Sequence, residues 1–218
     1  MRHTMQIREI TLTHELHHSD DPEHLKQILA KYGWKSLGTG LEAAVAMHPQ
    51  KSYVLKIFPS HSAYVKFVQF VQSHAQNPHV PRFSRYVKQI PGTNLAYVRM
   101  EKLLKVTESQ LLNNYTGYLA EMLALGEVTE MSMLADGLAM HVEDKLMGMG
   151  YDVADLMDPD QQEDIYVKLG GEPPQSWMQV LSALAEYSDH VDVEGGWDMH
   201  SNNFMRRGKT LVIVDPFF

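Results

Sequence analysis

Trp197-Asp198-Met199-His200-Ser201-Asn202-Asn203-Phe204-Met205, followed by Arg206-Arg207-Gly208-Lys209 and then Thr210-Leu211-Val212-Ile213-Val214-Asp215-Pro216, is the stretch on which the reading of this chain turns. Asn203 follows Asp198 by five positions, and Asp215 closes a strongly apolar strand twelve positions later. An aspartate, an amide and a second aspartate in that order suit phosphoryl transfer from a metal-nucleotide complex. One carboxylate orients an acceptor hydroxyl, while the amide oxygen and the other carboxylate hold magnesium against the charge of the transferred phosphate.

The rest of the chain bounds that reading. At 218 residues and 44% apolar content it is long enough for one sizeable domain or two packed lobes. A formal charge of -8 without a Lys/Arg run argues against nonspecific nucleic-acid binding and against an anionic membrane surface. No cysteine is present, which excludes disulfides and thiolate metal sites. No apolar run approaches the ~20 residues of a membrane span, and Met1-Arg2-His3 leads into a mixed polar segment, so a soluble, cytoplasmic protein is expected.

Upstream, the patterning changes once. Asp21-Pro22 reads as a helix start, with Leu25, Ile28 and Leu29 at helical spacing until Gly33 stops the run. Trp34 to Leu37, Leu41 to Met47 and Ser52 to Phe58 read as three strands, and Ser62 to Gln76 as a helix ended by Asn77-Pro78. Phe83 to Ile90 and Leu95 to Leu103 read as two further strands joined at Pro91-Gly92-Thr93-Asn94. Beyond Leu104 the chain reads as helical, over Thr107 to Leu125, Thr129 to Met147 and Trp177 to Tyr187. The acidic stretch from Tyr151 to Glu172 reads as an exposed connection with a short helix. The fold class expected is α+β: a five-stranded antiparallel lobe with a leading helix over 1–103, and a helical lobe over 104–218.

Three sites in the first half could serve the nucleotide. Gly38 and Gly40, at a strand-to-strand turn in Leu-Gly-Thr-Gly, read either as a plain tight turn or as a place where absent side chains let backbone amides approach a phosphate. Lys56, the lone charge in Tyr53 to Phe58, shares a face with Val54 and Phe58. It reads either as an edge-strand lysine extending its stem outward or as an ammonium reaching phosphates. Met100, Glu101 and Leu103 end the last strand, where an adenine ring could bond to exposed backbone with Met100 at the rear of its pocket.

A competing motif, His14-Glu15-Leu16-His17-His18, has zinc-protease spacing. Ser19-Asp20-Asp21-Pro22 starts a new helix directly after it, leaving about one turn where a long buried helix is needed, so the segment reads as a solvated histidine cluster. The methionines from Met122 to Met149 read as adaptable core or a partner groove.

Together these stretches resemble the protein-kinase-like superfamily, in the same order and over most of the chain. Leu-Gly-Thr-Gly and Asp-Met-His-Ser-Asn-Asn are most similar to the early serine/threonine protein kinases of short-tailed (podovirus) coliphages, and minimal kinase effectors secreted by enteric bacteria look similar in size. The resemblance implies a bilobal fold, ATP and Mg2+ (or Mn2+) as cofactors, and Lys56 and Asp198 as catalytic residues. Gly38, Gly40, Lys56, Met100, Glu101 and Leu103 would bind nucleotide, and Asn203 and Asp215 would hold the metal. It implies serine/threonine phosphorylation of a protein, of a host where the chain is phage-encoded. The Asp-x-His-x-x-Asn form, with His200 where most protein kinases have lysine, also resembles small-molecule phosphotransferases acting on aminoglycosides and choline. His200 itself reads as positioning the loop through backbone hydrogen bonding.

Departures from the family pattern are specific. No Asp or Glu lies between Ile57 and Met100, so the helix expected to give Lys56 a glutamate partner offers only Gln69 and Gln72. Glu42 is another acid that could serve. A catalytically weak pseudokinase that binds or recruits a host protein is the alternative this departure favours. Trp197 stands where an arginine is usual and Pro216-Phe217 where Phe-Gly is usual, with three residues printed after Asp215, so no activation segment is expected.

Overall fold

The computed structural model describes residues 22–39, 43–84, 86–129, 133–191 and 196–217. The histidine cluster at 14–18, Asp21, Gly40 and Glu42 lie outside them. The chain divides into two compact units, one of Met1–Gln72 with Arg82–Lys102, the other of Ser73–Pro81 with Leu103–Phe218.

The first unit begins with α1 (Pro22–Lys31). It ends where Gly33 adopts φ 79 and the Trp34 amide donates back to the Leu29 carbonyl, a left-handed stop that glycine takes without strain. Strands β1 (Lys35–Thr39), β2 (Ala44–Met47) and β3 (Tyr53–Pro59) follow, then α2 (Ala63–Ser73), β4 (Lys88–Gln89) and β5 (Leu95–Glu101). The five strands form one antiparallel sheet in the order β1-β2-β3-β5-β4, the expected α+β arrangement. Alternation along the central strand sends its side chains to opposite faces. Leu55 and Ile57 join Ala46, Ile28, Leu29 and Trp34 in a core beneath α1. Val54, Lys56 and Phe58 take the other face, where Tyr64 of α2 lies 4.8 Å from the Phe58 ring.

Two details differ from expectation. The predicted strand from Phe83 to Ile90 is split: Arg82, Phe83 and Ser84 pair with Glu101, Met100 and Arg99, and pairing resumes only at Lys88–Gln89 opposite Tyr97 and Ala96. Gly38 lies within β1 opposite Val45, next to a register shift from Ser36, rather than in the turn beyond it. Such a bulge bends the strand locally.

The second unit contains β6 (Leu104–Lys105), α3 (Glu108–Asn114), α4 (Thr116–Thr129), α5 (Asp136–Gly148), a 3-10 turn at Ala154–Met157, α6 (Pro159–Lys168) and α7 (Gln175–Val191). It closes with a 3-10 turn at Ser201–Asn203 and the hairpin β7 (Phe204–Arg207) and β8 (Thr210–Ile213). β6 pairs with β7 to complete a second, three-stranded sheet. The expected helix from Thr107 to Leu125 is two helices. Thr107 opens α3 with a capping box shared with Gln110, and the chain leaves helical geometry at Tyr115.

The predicted helix from Thr129 to Met147 starts later, at Asp136. The acidic stretch read as an exposed connection holds the ten-residue α6, with Ile165 and Tyr166 buried. Its capping Asp158 and following Pro159 are an N-terminal signature that the high charge obscured. Trp177, Val180, Leu181 and Leu184 give α7 a buried face, and the Trp177 Nε1–H donates to the Tyr118 carbonyl at 3.1 Å.

Candidate active site

The segment after α7 is held by backbone bonds at every turn. The Asp198 amide donates to the Pro216 carbonyl at 2.8 Å, the Asn203 amide to the His200 carbonyl at 2.9 Å, and the Val214 amide to the Asn203 carbonyl at 2.9 Å. Asp215 is thus flanked by the two residues bonded to Asn203 and Asp198. Trp197 bridges Phe217, with ring centroids 5.2 Å apart. On the opposite side Met199 bridges Leu134, and its carbonyl accepts from the Ala135 amide at 3.2 Å. Gly208, at φ 62, turns the β7–β8 hairpin that returns the chain from Asn203 to Asp215.

Side chains lock the same loop. Asn203, 7% exposed, donates from Nδ2 to the backbone carbonyl of Asp198 and, at 3.1 Å, to its carboxylate Oδ2. His200 Nδ1 accepts from the Asn202 amide at 3.1 Å, so the proton of the neutral ring sits on Nε2, which faces Asp198 Oδ2 at 3.4 Å. The loop-positioning expected of His200 is therefore present as a cap on the 3-10 turn. Both partners of the Asp198 side chain address Oδ2, which directs the other carboxylate oxygen to a further donor such as an acceptor hydroxyl. Spending Nδ2 on Asp198 likewise leaves the Asn203 oxygen for a cation.

The donor set of Asn203 and Asp215 is one amide oxygen and one carboxylate. Magnesium binds through one or two carboxylates and completes its shell with water and substrate phosphates, so this pair fits it when a nucleotide is bound. Among the described residues there is no group of three or more His, Asp or Glu side chains arranged for a metal.

A buried histidine supports the loop from behind. His79, 1% exposed, donates from Nδ1 to the Leu211 carbonyl at 2.7 Å and accepts at Nε2 from the Ser176 hydroxyl at 3.0 Å, while its own carbonyl accepts from the Ile213 amide at 2.9 Å. Arg207 donates to the Pro78 and Val80 carbonyls on either side. Burial lowers the His79 pKa, partly opposed by the Leu211 bond. Nothing in the sequence pattern marks His79, because its three partners are far away along the chain.

In the first unit, Lys56 sits in the central strand, paired with Val45 in β2 and Val98 in β5, and is 5% exposed. The edge-strand reading is thereby excluded. Its ammonium lies 3.5 Å from the centroid of the Tyr64 ring in the first turn of α2. Gln69 and Gln72, the helix residues expected near it, are exposed. Met100 is buried and receives the Tyr64 hydroxyl at its sulfur, 3.9 Å away. Glu101 is more committed than a residue with exposed backbone: its amide donates to the Arg82 carbonyl and its carboxylate accepts from the Arg82 amide, at 2.9 and 2.8 Å. Leu103 lies just past the end of β5, at the start of the second unit's main segment.

A groove of about 600 Å³ lies along α4 and α5, floored by Met122, Met133 and Leu134 and edged by Glu127, Asp136 and Glu143. Leu134 ties its floor to Met199, the residue after Asp198. The methionines divide between the readings given to them: Met122 and Met133 are core, whereas Met140 and Met147 are exposed.

No protein-family model matches this chain, and no curated protein matches it. Among solved structures, the chain is similar to that of a streptomycin-ATP-APH(2")-IIa ternary complex, at 16% identity and TM-score 0.30, over 90% of this chain and 70% of that one. A score that low supports no inference about fold or function.

Proposed function

We propose that this chain is an ATP-dependent phosphotransferase whose acceptor is a serine or threonine hydroxyl of a polypeptide, a host protein where the chain is phage-encoded. One observation carries the reading. Asp198 and Asn203 are hydrogen-bonded to each other, and Asp215 is set beside both by the backbone bonds of Val214 and Pro216. Two carboxylates and an amide, the residue types that phosphoryl transfer requires, thus come from one loop and the hairpin that follows it, which supports the reading.

In this reading Asp198 would orient the acceptor hydroxyl and take up its proton as the acceptor oxygen bonds to the γ-phosphorus of ATP and the bond from that phosphorus to the bridging oxygen breaks, with ADP as the leaving group. Asn203 and Asp215 would hold Mg2+, or Mn2+, which when bound would supply positive charge against the phosphate being transferred. Lys56 is assigned to the α- and β-phosphates, Gly38 and Gly40 to the strand cover of the triphosphate, and Met100, Glu101 and Leu103 to the base. The Glu101 amide is already bonded to the Arg82 carbonyl, so it is not the donor offered to a base. The open groove beside Met199, apolar in its floor and acidic at its edges, favours a polypeptide acceptor with basic residues.

His200 beside the Asp198 carboxylate favours a second reading, transfer to a small alcohol or amino-sugar. Labelled ATP with cytosolic proteins in one arm and amino-sugars and alcohols in the other separates the two. Transfer in either arm is expected to fall about 10²-fold or more in Asp198→Ala. Equal labelling by wild type and Asp198→Ala removes Asp198 from the chemistry. ATP binding without transfer in either arm indicates a pseudokinase.

A further inference from the structure

We infer that Tyr64 is the positioning residue of Lys56, through the face of its ring. Its effect on ATP affinity rests on the nucleotide role proposed for Lys56; the contact itself does not. Helix α2, from Ala63 to Ser73, contains no carboxylate and approaches the central strand through Tyr64 in its first turn. Both side chains are 5% exposed, and the ammonium stands 3.5 Å from the ring centroid, well inside the ~6 Å limit for cation–π attraction.

The ring is itself fixed. Phe58 packs at 4.8 Å, Phe67 at 5.7 Å, and Phe83 meets it edge-on at 6.0 Å, while its hydroxyl is directed at the Met100 sulfur. An aromatic ring held from several sides presents one face in one orientation, and the ammonium sits over that face.

The chemistry differs from that of an ion pair in a useful way. A carboxylate would attract the ammonium but also neutralise it and compete with phosphate for its protons. The quadrupole of the ring attracts the ammonium without adding a formal negative charge of its own. Because Tyr64 also touches Met100, one side chain contacts the residue assigned to the phosphates and one assigned to the base. A substitution there should therefore act on nucleotide affinity more than on the acceptor.

The test separates the contact from its consequence. Protein carrying 13Cε-labelled lysine, with the Lys56 signal assigned by Lys56→Arg, should show Lys56 Hε protons shifted upfield by the ring current. The shift should persist in Tyr64→Phe and disappear in Tyr64→Leu. Tyr64→Met, which fills the space without a ring, guards against loss of folding in the leucine variant, and circular dichroism checks all three. The Kd for Mg-ATP should rise about tenfold in Tyr64→Leu and Tyr64→Met and stay within about threefold in Tyr64→Phe.

An unshifted Lys56 signal in wild type overturns the inference, and so does an ATP affinity indifferent to loss of the ring. Wild-type protein that binds no Mg-ATP refutes the function proposed above instead; the upfield signal then decides alone whether Tyr64 fixes the ammonium.

Discussion

Replacing Asn203 by aspartate changes one NH2 for an oxygen, and it discriminates sharply between two roles for that side chain. If Asn203 mattered only as an oxygen ligand, aspartate would keep the ligand and add charge toward a cation. In the structure its Nδ2 donates both to the Asp198 carbonyl and, at 3.1 Å, to the Asp198 carboxylate. Losing these, as in Asn203→Ala, should cost about 3 kcal/mol, taking about 1 for a neutral bond and about 2 for one to a charged group. For a chain of this size that lowers Tm by about 6–12 °C.

Asn203→Asp loses the same bonds and also sets two carboxylates against each other. At an effective dielectric constant near 20, their repulsion at that separation is about 5 kcal/mol before the loop relaxes. Asn203→Asp should therefore melt below Asn203→Ala at pH 7. The gap should close toward pH 4 as the carboxylate pair takes up a shared proton. Melting curves by circular dichroism at the two pH values decide it. An Asn203→Asp protein as stable as wild type at pH 7 would show that the amide does not donate to Asp198, and the account of the loop would fail with it.

Three further outcomes follow from buried groups. Burial raises the Glu121 carboxyl pKa above its ordinary value despite the bond it accepts from the Tyr166 hydroxyl, so folding favours its protonated form. Stability from this group is full below the unfolded pKa and is lost as pH rises through the folded one; Glu121→Gln should raise Tm at pH 8 and leave it unchanged at pH 4. His79 is the opposite case, with its pKa lowered by burial: wild-type stability should fall as pH drops below about 6.5, where the unfolded chain protonates first, and His79→Gln should flatten that slope in a pH series of melts. Gly117→Ala gains up to about 1 kcal/mol of helix propensity. Its Cβ would stand 2.6 Å from the Gly171 carbonyl oxygen, a backbone atom that cannot rotate away, so overpacking of about 1–3 kcal/mol should win and urea denaturation should show a net loss.

How much of this was legible beforehand varies with the range of the interaction. The three consecutive strands that include the one bearing Lys56 followed from alternation and turn residues, which act within a few positions, whereas the central place of that strand between β2 and β5 came from the structure. The break at Tyr115 was missed because the apolar spacing from Thr107 to Leu125 outweighed the poor helix formers Asn113, Asn114, Thr116 and Gly117 that mark it. Helix α6 was hidden for the opposite reason: its charge suggested a loop, while Ile165 and Tyr166 reach a core built by other segments. Phe83 to Ile90 alternated like a strand, yet only its ends meet β5.

The candidate site shows the same division. Residue types and spacing in the sequence grouped Asp198, Asn203 and Asp215, since carboxylates and an amide in that order suit one chemistry; the Asn203–Asp198 bond and the hairpin turned at Gly208 came from the structure. Sequence alone also determined that α2 brings no carboxylate to Lys56. Only the tertiary structure decided what the helix brings instead, the face of Tyr64, and what braces the loop, the imidazole of His79. Both contacts join residues from separate elements, and packing in three dimensions selects such partners with no periodicity along the chain to announce them.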